Sequence, residues 1–493
     1  MTMAASSPER ESPGVDGLLG LGVERVHLVG IGGAGMEGLA RLLSAMGYRV
    51  TGSDASDGPV VEALRQSGVA VFQGHDGAHA RGVDVLIYSA AVPSTNPERQ
   101  AAAFAGVRQL RRAEILGLLS RRSDTIAVAG THGKTTTASM IAAALHGAGR
   151  APTVVVGGWI DGRTQSVCGT EALTVVEADE YDRSFLELEP WLAVVTNVEA
   201  EHVDCYADEA ELEEAFATFL QQSRADGCIV VNGDDPLCRS VADRVTALPE
   251  CARLITFGFS RDCDVRATNL MTAPDPGQYP GQYSGLDTGL GGTSFDCHDS
   301  SGTRRVKLRV PGRHNVANAL AAFAAATVLG IDSSIVVAAL ADFRGVDRRF
   351  QDRGQVHGVR VIDDYAHHPT EVAATLAAAR QQMGDGRLVA ILQPHTYTRT
   401  QRFHTEFALA LAAANRIWVT SVYAAREQPE DGMQSDVIVN GLKAAGAEAY
   451  WESDVETALA AALASCAAGD WLVVMGAGDI GARLETLLQE ENV

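Results

Sequence analysis

The segment from Gly130 to Thr137 reads GTHGKTTT, directly after the apolar run TIAVA and directly before ASMIAAALHG. A glycine turn between a strand and a helix leaves backbone N–H groups and the helix N-terminus facing one point, which holds a phosphate, and a lysine inside the turn reaches its outer oxygens. Lys134 occupies that place and Thr135 follows as a hydroxyl ligand for a divalent cation, while Gly130, Thr131, His132, Gly133 and Thr136 complete the loop. The pattern departs from GxxxxGK[ST], because Val128 stands at the first glycine position and the glycine is Gly130 instead. A cation held with phosphates needs a carboxylate from a neighbouring strand. TVVEADEYD supplies Glu177 for that role, with Asp179, Glu180 and Asp182 read as a solvated acidic strand end. VVTNVEAEHVD adds His202 and Asp204 at another strand end, where the crevice of a parallel sheet opens.

Three further clusters carry chemistry. GIGGAGM satisfies GxGxxG at Gly30, Gly32 and Gly35, with Asp54 after the next strand. By spacing this is a dinucleotide fingerprint, yet glycines at a helix N-terminus accept any pyrophosphate, including that of a UDP-sugar. GVDRRF, DDYAHHPTE and QPHTYTRTQRF bring Arg348, Arg349, Arg399 and Arg402. A guanidinium fork matches carboxylate or phosphate, so these arginines suit a γ-phosphate and an amino-acid carboxylate. No GxSxG or other nucleophile elbow occurs.

The elements that must position these residues are legible as alternating strands and helices, an α/β organisation. ERVHLVG, a glycine turn with an amphipathic helix, and YRVTGSD form one βαβ unit; VAVFQGH, VDVLIYSAAV and the helix RRAEILGLLSRR extend it. A second start at TIAVAGTHGK continues through TVVEAD, LAVVTNV and GCIVVNGDD, and a third through VRVIDDY, LVAILQPH, RIWVTSVY and DWLVVMGAG. The expected domains are 22–122, 123–341 and 342–493, consistent with a chain of 493 residues that exceeds one ordinary core. The insert Ala273 to Gly292, rich in Gly, Pro, Gln and Ser, cannot build a core and is expected to be a mobile surface loop.

Composition narrows the function classes. Hydrophobic residues make up 46% and charged residues 21%, an ordinary globular balance. A formal charge of -22 argues against general nucleic-acid binding, which relies on clustered Lys and Arg. Lysine occurs only at Lys134, Lys307 and Lys443, so one lies within the glycine turn. The 8 cysteines show no zinc spacing and suit a reducing cytoplasm; no signal peptide or membrane span is read, and Val316 to Leu329 is expected as a buried helix.

Taken in order, HLVGIGGAGM, SAAVPSTNPE, GTHGKTTT, VEADEYDRSFL, TNVEAEHVD, GRHNVANALAA, GVDRRF, DDYAHHPTE and QPHTYTRT resemble the Mur ligase family over nearly the whole chain. The resemblance implies three domains: a Rossmann-like UDP-binding domain, a P-loop ATPase-type α/β domain and a C-terminal Rossmann-like domain. It implies ATP-dependent joining of L-alanine to the lactyl carboxylate of UDP-N-acetylmuramate through an acyl phosphate, in the cytoplasm, with Mg²⁺. Carried over by position, Lys134 stabilises the transferred phosphoryl group, Thr135 and Glu177 hold one Mg²⁺ and His202 a second. Asn318 meets adenine, Arg349 the phosphates and Asp364 the ribose; Gly32, Gly33, Ala34, Gly35, Met36 and Asp54 serve the UDP-sugar; His395 and Arg399 place L-alanine.

Two departures bear on these expectations. Thr396 stands where the family commonly has Arg, leaving the carboxylate grip to Arg399, and no lysine lies between Glu201 and Gly227 to supply the carbamate that sister ligases use. The rival readings are a recycling ligase joining UDP-N-acetylmuramate to a murein tripeptide, an NAD-dependent dehydrogenase resting on GIGGAGM, and a nucleotide switch without ligase activity.

Overall fold

The structure, a computed structural model, describes residues 17–160, 163–164, 166–199, 205–249, 251–272, 291–425, 427 and 434–491. His202, Asp204 and residues 273–290 of the insert, singled out above, lie outside the described residues. The chain divides into two compact units, Met1–Arg266 with Asn318–Ala339, and Ala267–Ala317 with Leu340–Val493.

The first unit opens with β1 (Arg25–Val29), α1 (Ala34–Ala45), β2 (Arg49–Asp54), α2 (Pro59–Gln66), β3 (Ala70–Gln73), β4 (Val85–Tyr88), α3 (Pro97–Phe104), β5 (Arg108–Arg111) and α4 (Arg112–Ser120). The strands form one parallel sheet in the order β3-β2-β1-β4-β5. Its helices start where capping chemistry places them: Asn96 accepts from the N–H groups of Glu98 and Arg99, and Pro97 supplies the preset first turn of α3.

A second run follows in the same unit: β6 (Asp124–Ala129), α5 (Lys134–Gly147), β7 (Thr153–Val155), the two-residue strands β8 (Trp159–Ile160) and β9 (Arg163–Thr164), β10 (Leu173–Glu177), β11 (Leu192–Val195), α6 (Glu209–Gln221), β12 (Cys228–Asn232), α7 (Pro236–Thr246) and β13 (Arg253–Gly258); β14 (Val265–Thr272) begins in this unit and continues into the second. Here β6 lies between β10 and β11, and all three are parallel and buried. Near-continuous Val, Ile and Ala in these strands is what a sheet covered on both faces requires. α4 packs this run onto the first sheet: a Cβ on Gly117 would lie 2.5 Å from the Glu187 carbonyl, and Arg111 pairs with Glu187 at 2.6 Å.

In the second unit β15 (Thr293–Asp299) and β16 (Gly302–Leu308) form an antiparallel hairpin. Helices α8 (Arg313–Val328) and α9 (Ser333–Asp342) carry the chain through the division, and the run Val316 to Leu329 is helical up to Val328 and largely buried, as expected, with Asn318 a buried polar residue among its apolar ones. Then come β17 (Gln351–Val356), β18 (Val359–Asp364), α10 (Pro369–Gln382), β19 (Leu388–Leu392), α11 (Tyr397–Leu411), β20 (Arg416–Thr420), α12 (Asp436–Ala444), β21 (Ala449–Glu452), α13 (Val455–Ala464), β22 (Trp471–Met475) and α14 (Ile480–Glu491). The sheet order is β17-β18-β22-β19-β20-β21, with β17 antiparallel. Apolar clusters cover both faces, one around Ile362, Leu376 and Phe407 and one around Val361, Leu459 and Leu484. Among the described residues no helix is long and apolar enough to cross a membrane.

One buried charge braces the first sheet. Glu98 is fully buried and accepts from Ser53 Oγ at 2.6 Å, with His79 Nδ1 at 2.7 Å and His27 Nε2 at 3.6 Å. Burial alone would raise its pKa, but the contacts from His27, Ser53 and His79 outweigh it and bring the carboxyl down to about 2. A depressed carboxyl stabilises the fold above the unfolded value, near 4.5, and that contribution is lost as pH falls toward 2. The Glu98→Gln variant should therefore be less stable at pH 7 by roughly 3 kcal/mol. It should also show a flatter dependence of Tm on pH between 4.5 and 2, as read by thermal melts across that window.

Candidate functional site

The loop from Gly130 to Gly133 leaves the carboxyl end of β6, the strand flanked by β10 on one side and β11 on the other. In parallel sheets this is where the connections diverge and ligands bind. Gly130 (φ 128°) and Gly133 (φ 83°) adopt backbones that L side chains avoid, and neither has room for one. A Cβ on Gly130 would fall 2.1 Å from Thr196 Oγ1, and one on Gly133 would fall 2.4 Å from Asn318 Oδ1. The segment after β11 clamps the loop. Thr131 N donates to Asn197 O (3.1 Å), His132 N donates to Asn197 Oδ1 (2.8 Å), and Thr196 Oγ1 and Asn197 Nδ2 donate to His132 O (2.6 and 2.9 Å). Thr196 and Asn197 were not among the sequence candidates; a polar Thr-Asn pair ending an apolar strand was the available signal.

Lys134 opens α5, and its Nζ donates to Gly130 O (2.7 Å), Thr131 O (3.2 Å) and Glu180 Oε2 (2.7 Å). The reading of Glu180 as part of a solvated acidic end is corrected: it is 1% exposed and is the ion-pair partner of Lys134. Asp182, by contrast, is exposed. The chain turns inward at Glu180 because Tyr206 OH holds its carbonyl at 2.7 Å, so the acidic run does not simply continue the strand. Glu177, the last residue of β10, accepts from Gly157 N at 2.9 Å and from the Thr135 hydroxyl. Burial pushes its carboxyl up, against the pull of Gly157 N–H, Thr135 and the positive charges of Lys134 and Arg112. Thr135 and Glu177 thus put two hard oxygen donors side by side, the donor chemistry Mg²⁺ takes. Asn318 is buried and accepts from Thr137 Oγ1 at 3.3 Å, which places it against the loop rather than apart from it.

The N-terminal glycine loop is built differently from a simple ligand cradle. Gly30 N and Ile31 N both donate to Ser53 O (2.9 and 3.0 Å), and Gly32 N donates to Asp54 Oδ2 at 2.8 Å. Asp54 therefore closes the loop, and Gly32 is small because a Cβ there would fall 2.9 Å from that carboxylate. Gly33 caps α1, whose first residues are Ala34 and Gly35, and Met36 is buried beneath the turn. Arg112, absent from the sequence candidates, lies against Gly35, its Nε donating to Gly35 O at 3.0 Å.

Within the second unit Asp364 ends β18, buried, its oxygens accepting from Phe350 N and Ala366 N at 2.8 Å each. Burial raises its carboxyl to about 6 despite the nearby Arg349. Arg349 pairs with Glu371 at 3.5 Å, and its neighbours Arg348 and Phe350 have left-handed φ of 58° and 52°. Such backbones are strained for side-chain-bearing residues. Arg348, one of the anion-binding candidates, is tied to Asp363 at 3.4 Å and to Gly476 O at 2.6 Å. At the start of α11 the His395 and Arg399 side chains meet at 3.1 Å, and His395 stacks on Tyr423. Thr396 between them has φ 65°, its N–H donating to Tyr423 O at 2.9 Å.

A buried ion pair stripped of one partner leaves an uncompensated charge. Glu180→Ala should lower the unfolding free energy of the ligand-free chain by roughly 3 kcal/mol in urea denaturation, whereas Asp182→Asn, at an exposed position whose left-handed backbone Asn tolerates, should change it by less than about 0.5 kcal/mol.

Three family models match in chain order: "Mur ligase family, catalytic domain" over residues 25–124, "Mur ligase middle domain" over 128–326 and "Mur ligase, glutamate ligase domain" over 348–478. The chain is 41% identical to the UDP-N-acetylmuramate–L-alanine ligase of Chlorobaculum tepidum, covering 93% of each chain. It is 40% identical to that of Caulobacter vibrioides, covering 92% of this chain and 94% of the other. Among solved structures it is similar to the UDP-N-acetylmuramate-alanine ligase of Thermotoga maritima (TM-score 0.79, 28% identity, 95% and 99% of the two chains). It is also similar to a murein peptide ligase of Psychrobacter arcticus (TM-score 0.68, 26% identity, 95% and 98%). With three α/β domains in the family's order and relatives this similar along almost all of its length, the chain belongs to the Mur ligase family.

Proposed function

We propose that this chain joins L-alanine to the lactyl carboxylate of UDP-N-acetylmuramate, consuming ATP and releasing ADP and phosphate, in the assembly of peptidoglycan precursors. The observation that carries the reading is the grouping of Lys134, Thr135 and Glu177 at the end of β6 and β10, in a chain whose relatives are named for that reaction. A carboxylate is a poor acyl donor until one of its oxygens becomes part of a phosphate. In the first step that oxygen attacks the γ-phosphorus and ADP leaves; in the second the alanine nitrogen attacks the acyl carbon, phosphate leaves and the nitrogen loses a proton. Both steps need positioning and charge neutralisation rather than a nucleophilic side chain.

In this reading the Lys134 ammonium neutralises oxygens of the transferred phosphoryl group, and the loop Gly130–Thr136 holds the phosphates through the N–H groups that Asn197 does not take, those at the start of α5. Thr135 and Glu177 would hold one Mg²⁺ and His202 a second, and these cations would draw charge from the phosphate oxygens. Asn318 is assigned to adenine, Arg349 to the phosphates, Asp364 to the ribose, the glycine loop from Gly32 to Met36 with Asp54 to the UDP-sugar, and His395 with Arg399 to the L-alanine carboxylate. The domains follow as 22–122 for the UDP-sugar, 123–341 for ATP and 342–493 for the amino acid. A cytoplasmic location belongs to the same reading, since ATP is consumed and all 8 cysteines are free.

The likeness to a murein peptide ligase favours one second reading, in which a tripeptide replaces L-alanine as the amine. Phosphate release measured with each substrate omitted in turn, followed by product analysis with L-alanine against the tripeptide, separates them; exclusive use of the peptide would sink the alanine reading. Lys134→Ala should lower kcat by roughly 100- to 1000-fold, the scale of losing one charge-stabilising donor. Its affinity for UDP-N-acetylmuramate, measured by calorimetry, should stay within about twofold, because that ligand is assigned to the other glycine loop.

A further inference from the structure

Arg348 and Arg349 are adjacent and identical in type, yet the fold uses them differently. The Arg348 guanidinium sits in a seat made by three elements. Its Nη2 donates to Gly476 O, just after β22, at 2.6 Å, its Nε faces the Asp363 carboxylate of β18 at 3.4 Å, and its Cζ lies 5.2 Å from the Tyr365 ring centroid. Asp363 is 2% exposed, and a Cβ on Gly481, in the first turn of α14, would fall 2.5 Å from that Cζ. The seat therefore fits a guanidinium closely, and a buried carboxylate meets its charge. The backbone of the same residue is pinned at both ends: its N–H donates to Gln351 Oε1 at 2.9 Å, and its carbonyl accepts from Tyr365 N at 2.6 Å. So held, Arg348 keeps a left-handed φ of 58°, which an unanchored residue with a Cβ would leave.

The consequence falls on the next two residues. Arg349 leaves the turn with its N–H on Val346 O at 3.0 Å and its Cζ 5.1 Å from the same Tyr365 ring. Phe350, also left-handed at 52°, donates its N–H to Asp364 Oδ2 at 2.8 Å. One strained turn thus sets the directions of Arg349 and of the Asp364 carboxylate, and the Arg348 side chain locks that turn.

We propose that Arg348 is a positioning residue for the nucleotide: it touches no substrate, and its seat against Gly476, Gly481 and Asp363 fixes the turn that aims Arg349 and orients Asp364. The proposal rests on the functional reading above, which assigns Arg349 to the phosphates and Asp364 to the ribose. The test uses the full chain, titrated calorimetrically with the β,γ-imido analogue of ATP and Mg²⁺, with steady-state KM values for ATP and L-alanine beside it. Arg348→Ala should weaken binding of the analogue at least about tenfold and raise KM for ATP in proportion. KM for L-alanine, whose assigned residues His395 and Arg399 lie in the same unit, should stay within about twofold. Gly481→Ala should give the same selective loss with Arg348 chemically intact, because the added methyl displaces the guanidinium; this variant decides the matter if Arg348→Ala fails to fold. Since Arg348 acts through Arg349, combining Arg348→Ala with Arg349→Ala should cost less affinity than the product of the two single losses. Losses that multiply would mean direct phosphate contact and overturn the proposal, as would unchanged analogue affinity in Gly481→Ala, or KM values for ATP and L-alanine that rise together. Unchanged analogue affinity in Arg349→Ala would instead overturn the assignment on which the proposal rests.

Discussion

Everything in the central domain depends on one steric constraint, the absence of space for a side chain at Gly130 and Gly133. The loop can turn from β6 into α5 this tightly only if its backbone takes left-handed conformations at the two glycines, with Thr196 and Asn318 pressed against it. Parallel register then assembles the rest. Val128 on β6 lies beside Glu177 on β10, and Ala129 lies beside Val195 on β11, so the carboxylate arrives on one side of the loop and the Thr196–Asn197 clamp on the other. A shift of one residue in the β6–β10 pairing would point Glu177 to the other face of the sheet.

Buried charge is the second theme. Lys134 with Glu180, Glu98 with its ring of histidines and serine, and Asp364 between two backbone N–H groups all keep ionisable groups out of water. Desolvation opposes each of them, and the balance differs with the partners supplied. Glu98 has enough donors to stay ionised to about 2, whereas Asp364 has few enough that its carboxyl rises to about 6. Such arrangements cost stability unless fully partnered, and two of the three contain residues with assigned roles in the reaction.

The two glycine loops use the same residue type for different ends. In the central loop the glycines allow the backbone itself to bend around a phosphate site. In the N-terminal loop Gly32 makes room for the Asp54 carboxylate and Gly35 makes room for the Arg112 guanidinium. The spacing GxGxxG, together with the acid after the next strand, matches a dinucleotide fingerprint, and here one oxygen of that acid, Asp54 Oδ2, also closes the loop. A motif of small residues records that something approaches closely, and the approaching group can be protein as readily as ligand.

The α/β alternation, the long buried strands and helices, the phosphate loop with Lys134 and Thr135, and Glu177 at a strand end were all readable from the chain, because they rest on local periodicity and on turn chemistry. Short or polar strands such as β5 (RQLR) and β21 (AYWE) were not, since four residues at a sheet edge carry no period and owe their conformation to their neighbours. Tertiary structure alone decided which acid of EADEYD goes inside: Glu180 is three residues from Glu177 and chemically identical to it, and only the turn held by Tyr206 directs it to Lys134. The same holds for Arg112 and Gly35, which are 77 residues apart. Sequence determines which groups are present and the local shape of each segment; which groups meet depends on long-range packing, where burial, exclusion and ion pairing are settled by residues distant along the chain.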